Sequence, residues 1–185
     1  MTWKVVQLND VPPTPWRNGG GTTRELMAWP DCAAWRWRAS VAEVGKSGPF
    51  SSFAGVQRWF AVLHGDGVCL TVDGYLHMLS ESDQPVTFDG AAVTTCELLG
   101  GATQDFNLMV QSGSAARMLR LSCNFKMTAS APKIIAVYAH KESAVVQIGS
   151  ENYVLSPHAF GWTHVDANTA IHVQASSALL MEIDL

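Results

Sequence analysis

Pro15-Trp16-Arg17-Asn18-Gly19-Gly20-Gly21-Thr22-Thr23-Arg24-Glu25 sets two arginines, an asparagine and two threonine hydroxyls around three consecutive glycines. Guanidinium forks match carboxylate or phosphate, and a run of glycines lets the backbone turn tightly and bring its N–H groups close to a partner. Ordering such a segment is costly in conformational entropy, which argues for a positional purpose. The chemistry it suits is capture of a small anion. The alternative is an ordinary turn, with Arg17 and Arg24 exposed or paired to Glu25 and Asp10. The spacing is not that of an NTPase phosphate loop, because no Lys follows the glycines, nor that of a G-x-G-x-x-G dinucleotide turn.

Three more segments carry polar groups at strand spacing. Ala34 to Ala42 alternates clearly, with Trp35, Trp37, Ala39 and Val41 on one face and Arg36, Arg38, Ser40 and Ala42 on the other. That second face is solvent in an ordinary half-buried strand and lumen in a barrel, where an arginine must find a partner; alternation alone does not say which. Arg58 opens the following strand. Asp105 and Asn107 share one face of another, presenting a carboxylate and an amide side by side, either to orient an arginine or to hold the amide or ammonium part of a ligand.

Other chemistries find less support. The six histidines include no H-x-H pair, and His64, His77, His158, His164 and His172 are too scattered to define a metal site, so neither a metal nor another cofactor is expected. No serine or cysteine stands on a nucleophile elbow. Cys32, Cys69, Cys96 and Cys123 form no C-x-x-C pair and read as free thiols of a reducing, cytoplasmic compartment. Residues 1–60 carry seven basic and four acidic groups against five and twelve in the remainder, which places positive charge where a small anion could bind. It does not make the broad basic face that nucleic acid requires. Met1 to Val6 read as no apolar leader and no run approaches 18 apolar residues, so no membrane partner is expected, and a 48% hydrophobic composition with 15% charged residues fits self-association, as in a homodimer.

The elements that position these residues are short strands. Segments near 2–8, 22–28, 34–42, 58–64, 68–72, 76–79, 85–88, 94–99 and 105–110 are separated by Gly, Pro and Asp turns, with Asp73-Gly74 the strongest hairpin signal. Residues 45–55 read as loop anchored by Phe50 and Phe53, and 112–123 stays ambiguous. Ala61-Val62-Leu63 returns as Ala136-Val137-Tyr138 after 75 residues, with turn placement repeating. The chain is therefore read as all-β, with two similar units at 1–122 and 123–185 joined by a short linker and expected to pack together.

Trp16 to Glu25, Trp37-Arg38-Ala39-Ser40, Phe50-x-x-Phe53-x-Gly55-x-x-Arg58, Leu63-x-Gly65-x-Gly67 and Asp105-Phe106-Asn107-Leu108-Met109 together resemble the HutD/Ves family of bacterial proteins. The resemblance covers most of the chain, is densest over residues 14–110, and lies closer to the HutD form at Arg17 to Gly21. It implies a bicupin fold, two packed β-barrels in one chain, without the paired-histidine metal motif of cupin enzymes. HutD members accompany the histidine-utilisation genes of proteobacteria. The resemblance thus implies a metal-free protein binding a small acidic intermediate such as formylglutamate, in a regulatory or limiting role.

Carried over from the motifs, the implied ligand-binding residues are Arg17, Asn18, Thr22, Arg24, Arg38, Ser40, Arg58, Asp105 and Asn107. Arginine forks would take carboxylates, while Asn and hydroxyl groups would take the polar middle of the ligand. No residue is assigned a catalytic role, and whether a reaction occurs stays open. A non-metal enzyme using Asp105 or Glu25, a metal-dependent cupin enzyme, and a structural or protein-interaction role are the alternatives.

Overall fold

The computed structural model describes residues 2–184, and strands make up most of them. In chain order they are β1 (Lys4–Gln7), β2 (Thr14–Pro15), β3 (Gly21–Trp29), β4 (Trp37–Val44), β5 (Gly48–Pro49), β6 (Val56–His64), β7 (Val68–Val72), β8 (Tyr75–Leu79), β9 (Val86–Asp89), β10 (Thr94–Leu98) and β11 (Thr103–Gln111). They continue as β12 (Ala116–Leu121), β13 (Phe125–Thr128), β14 (Lys133–Ala139), β15 (Ala144–Ile148), β16 (Glu151–Leu155), β17 (Ala159–Val165), β18 (Ala170–Gln174) and β19 (Ala178–Asp184). A single 3-10 turn covers Leu8–Asp10, and no helix is long and apolar enough to cross a membrane among the described residues.

The strands expected over residues 1–122 are present, with three additions. Residues 112–123 contain β12, because Arg117 to Leu121 find a ladder with β19 that local sequence does not reveal. Pro12, Pro13 and Pro15 still leave room for the two-residue β2, and the 45–55 loop contains β5. Asp73 and Gly74 both take positive φ, at 46° and 86°, which is the tight turn that the twist of the β7–β8 hairpin requires.

Two units divide the chain, one of Val11–Gly113 and one joining the first ten residues to Ser114–Leu185. The boundary therefore follows Gly113 rather than Ser122, and the N-terminal segment belongs with the C-terminal unit. Strand pairing is the cause: β1 adds to β17 (Lys4 opposite Trp162), and β12 adds to β19.

Within Val11–Gly113, a sheet ordered β2-β3-β4-β11-β6-β9 and a sheet ordered β5-β10-β7-β8 share one core, in which Phe60, Val62 and Phe88 meet Val68, Leu70 and Cys96. The other unit pairs a β1-β17-β14-β19-β12 sheet with a β13-β18-β15-β16 sheet around Ile135, Val137, Val146, Ile171 and Leu180. The strand order β9-β6-β11-β4 recurs as β17-β14-β19-β12, and β5-β10-β7-β8 recurs as β13-β18-β15-β16. The register recurs too: Arg58 lies opposite Met109 and Phe60 opposite Asn107, as Lys133 lies opposite Asp184 and Ile135 opposite Glu182. β3 has no counterpart among the described residues of the second copy.

Candidate functional site: an arginine-lined cavity

The sheet of the first unit decides which side chains meet. β11 lies between β4 and β6, so Arg38, Met109 and Arg58 form one row across three strands, and Ser40, Asn107 and Phe60 form the next. Side chains in register on adjacent strands point the same way. This common face is the one turned toward the second sheet, since Phe60 is part of the shared core. The arginines of β4 and β6 thus point inward. Trp37, Ala39 and Val41 are buried as well, so both faces of β4 are withdrawn from water.

A cavity of about 580 Å³ opens on these rows. Arg38, Ser40, Arg58 and Asn107 line it together with Arg17 and Asn18, which are exposed at its rim. Apolar walls come from Trp16, Phe50, Phe53, Phe60 and Met109. Volume and mixed lining are those of a small-molecule site.

Arg58 is the unusual group. Only 7% of it is exposed, yet no carboxylate pairs with it among the described residues. Its Nη2 donates to Asn107 Oδ1 at 3.2 Å and its Nη1 to the Ser51 carbonyl at 3.4 Å, while the buried Nε has no partner. The rings of Phe50, Phe53 and Phe88 lie 5.0, 5.7 and 5.1 Å from the guanidinium carbon, close enough for cation–π attraction. Burial, and then the nearby Arg38 charge, lowers the Arg58 pKa to about 10, which leaves the group charged at neutral pH. Arg38 stacks 5.7 Å from Trp35, and its Nη1 lies 3.5 Å from Glu25 Oε2; its own Nε is buried without a partner.

The second copy of the fold supplies the contrast. Lys133 holds the place of Arg58, and its Nζ lies 3.1 Å from Glu182 Oε2 and 3.6 Å from Asp184 Oδ1. By register those carboxylates correspond to Asn107 and Met109. One unit neutralises this cation with its own residues; the other sets an amide and a thioether there.

Six of the nine residues anticipated from the sequence line the cavity, and three do not. Thr22 and Arg24 lie on the other face of β3, where Arg24 Nη1 donates to the Val11 carbonyl; their neighbours Thr23 and Glu25 line the cavity instead. Asp105 is on the inward face, but it sits in register with Ala42 and Val62, fully buried outside the cavity lining. Thr103 Oγ1 donates to its Oδ2 at 2.8 Å, and its Oδ1 is orphaned. Burial raises its pKa to about 7 against the smaller opposing pull of Thr103.

Gly19 and Gly20 do not offer the free N–H groups expected of the loop. Gly20 N donates to Asn18 Oδ1 at 3.0 Å and Gly19 N to the Trp16 carbonyl at 3.0 Å. Their role is steric: a Cβ on Gly21 would stand 2.2 Å from the Glu43 carbonyl oxygen and 3.1 Å from the Trp16 ring. That close approach seats Trp16, whose Nε1 donates to Thr23 Oγ1 at 2.7 Å. Among the described residues, no three His, Cys, Asp or Glu side chains converge as metal ligands would.

An all-β protein with a guanidinium-lined cavity is thus defined, and its fold is cupin-like: it matches protein Ylba of E. coli at a TM-score of 0.72 over 99% of this chain and 90% of that one, with 10% identity. Oxalate decarboxylase of Bacillus subtilis matches at 0.64 over 97% and 76%, with 7% identity. The profile of the HutD family matches residues 8–181, and the chain belongs to that family. HutD from Pseudomonas fluorescens SBW25 is 32% identical, with a TM-score of 0.82 over 99% of this chain and 98% of that one. An uncharacterized 21.2 kDa protein in the hutC 3' region of Pseudomonas putida is 34% identical over 151 residues, 80% of each chain. Protein Ves of Citrobacter koseri is 35% identical over 118 residues, 62% of this chain and 61% of that one.

Proposed function

We propose that the protein is a receptor for a small carboxylate held in the cavity of the first unit, with Arg58 and Arg38 as anchors and Asn107, Ser40 and Asn18 as polar partners. The observation that carries this reading is Arg58 itself. A buried guanidinium without a counter-ion is costly unless a ligand completes it, and the duplicated position at Lys133 shows carboxylates in that role. Each unit is read as one barrel of a bicupin, and binding rests on arginines without a metal.

The ligand class follows from the cavity and the family together. HutD membership and the hutC-region relative favour an acidic intermediate of histidine degradation, formylglutamate or a close relation, bound in a regulatory or limiting role. Calorimetric titration with formylglutamate, formiminoglutamate and urocanate tests it. Saturable heat that disappears in Arg58→Met is the expected result, and heats equal to buffer dilution for all three overturn the reading.

A further inference from the structure

Glu25 has no part in anchoring an anion, yet it lines the same cavity. It stands on β3, which has no counterpart among the described strands of the second copy, in register with Ser40 on β4. The cavity floor therefore has two rows. Arg38, Met109 and Arg58 make a cationic one, and Glu25, Ser40, Asn107 and Phe60 make one that offers acceptor oxygens. They lie two residues apart along the strands, roughly 7 Å. Glu25 Oε2 forms an ion pair with Arg38 Nη1 at 3.5 Å, and 38% of its side chain is exposed to the cavity and solvent.

A carboxylate on the wall of an anion pocket repels a plain anion and attracts a donor. We infer that Glu25 is the specificity-determining residue of the cavity, selecting acids that carry an N–H donor next to the carboxylate, such as N-acyl or N-amidino amino acids, over acids of the same charge without one. The inference rests on the receptor reading above and adds the second half of the recognition. The arginine row takes the carboxylate, and Glu25 takes the N–H. A ligand with only acceptors at that position sets lone pairs against the Glu25 oxygens, and a site built for a donor rejects such an analogue strongly.

The test uses two probes that differ in one atom group: N-formyl-L-glutamate and 2-(formyloxy)glutarate, whose ester oxygen replaces the N–H. Each is titrated calorimetrically into the full chain and into Glu25→Ala and Glu25→Gln. The expected result is that the intact protein prefers the N–H compound by about tenfold or more. Glu25→Ala removes the preference by tightening the ester as well as weakening the amide, and Glu25→Gln, which keeps an acceptor oxygen, falls between. Equal affinities in the intact protein, or a preference that survives Glu25→Ala, overturn the inference and leave the receptor reading standing. Absence of binding by both probes overturns the inference; the receptor reading falls with it only if formiminoglutamate and urocanate also give heats equal to buffer dilution.

Discussion

Arg58 Nη2 donates to Asn107 Oδ1 at 3.2 Å at the register where the C-terminal unit sets Lys133 Nζ 3.1 Å from Glu182 Oε2. Asn107→Asp therefore places a resident carboxylate against a cation that lacks one. The variant is expected to melt higher than the parent, since a buried charge gains its partner, and to bind carboxylates at least about tenfold more weakly, because the new side chain occupies the anchor. Scanning calorimetry and ligand titration read the two effects; a variant that binds as well as the parent contradicts the assignment of Arg58.

Arg58→Met should separate stability from binding. Exchanging an unneutralised buried charge among Phe50, Phe53 and Phe88 for an apolar chain of similar length is neutral or stabilising, while carboxylate affinity falls by about a hundredfold. Arg58→Lys keeps the charge but not the fork, so it should recover only part of the affinity.

Asp105 makes stability depend on pH. Its folded-state pKa of about 7 lies above the ordinary 3.8, so between these values the folded chain retains a proton that the unfolded chain has released. Stability must then fall as pH rises from about 4 to 7 and level off above. Asp105→Asn removes that slope, a difference on the order of 4 kcal/mol across the window. Denaturant titrations at several pH values would show parent and variant diverging; parallel curves would refute the burial-driven shift.

Gly21→Ala tests the close approach at the loop. The added methyl meets the Glu43 carbonyl at 2.2 Å and must push β3 from β4 or unseat Trp16, costing about 1–3 kcal/mol. Gly19→Ala meets no atom within 4 Å but requires φ of 66°, so its cost is conformational and should be about 1 kcal/mol. Carboxylate binding should weaken with the first far more than with the second.

Alternation in the sequence correctly grouped Arg38 with Ser40 and Asp105 with Asn107, because side-chain parity is a local property of a strand. It could not say which face is inward, since β4 and β11 bury both. The row joining Arg38 to Arg58 through Met109 depends on non-local pairing of β4, β11 and β6, which no single segment encodes. Thr22 and Arg24 enter the expected site through the family motif, which runs along the chain without regard to strand face. The register of Glu25 with Ser40 shows that Thr23 and Glu25 share the inward parity instead. Asp105 has the right parity and the wrong depth. The duplication was visible as a faint echo 75 residues on, and its meaning at Arg58 and Lys133 emerges only when sheet order and register are compared.

Leaving Arg58 without a counter-charge has a consequence outside recognition. If the cavity takes a small acid as proposed, the unoccupied protein would be the less durable form, and a bound acid would lengthen its life against heat and proteases: occupancy at a hundred times the dissociation constant would add about 2.7 kcal/mol. Persistence of the folded chain would then rise and fall with the supply of its ligand, a coupling the Lys133 copy, already neutralised from within, does not share.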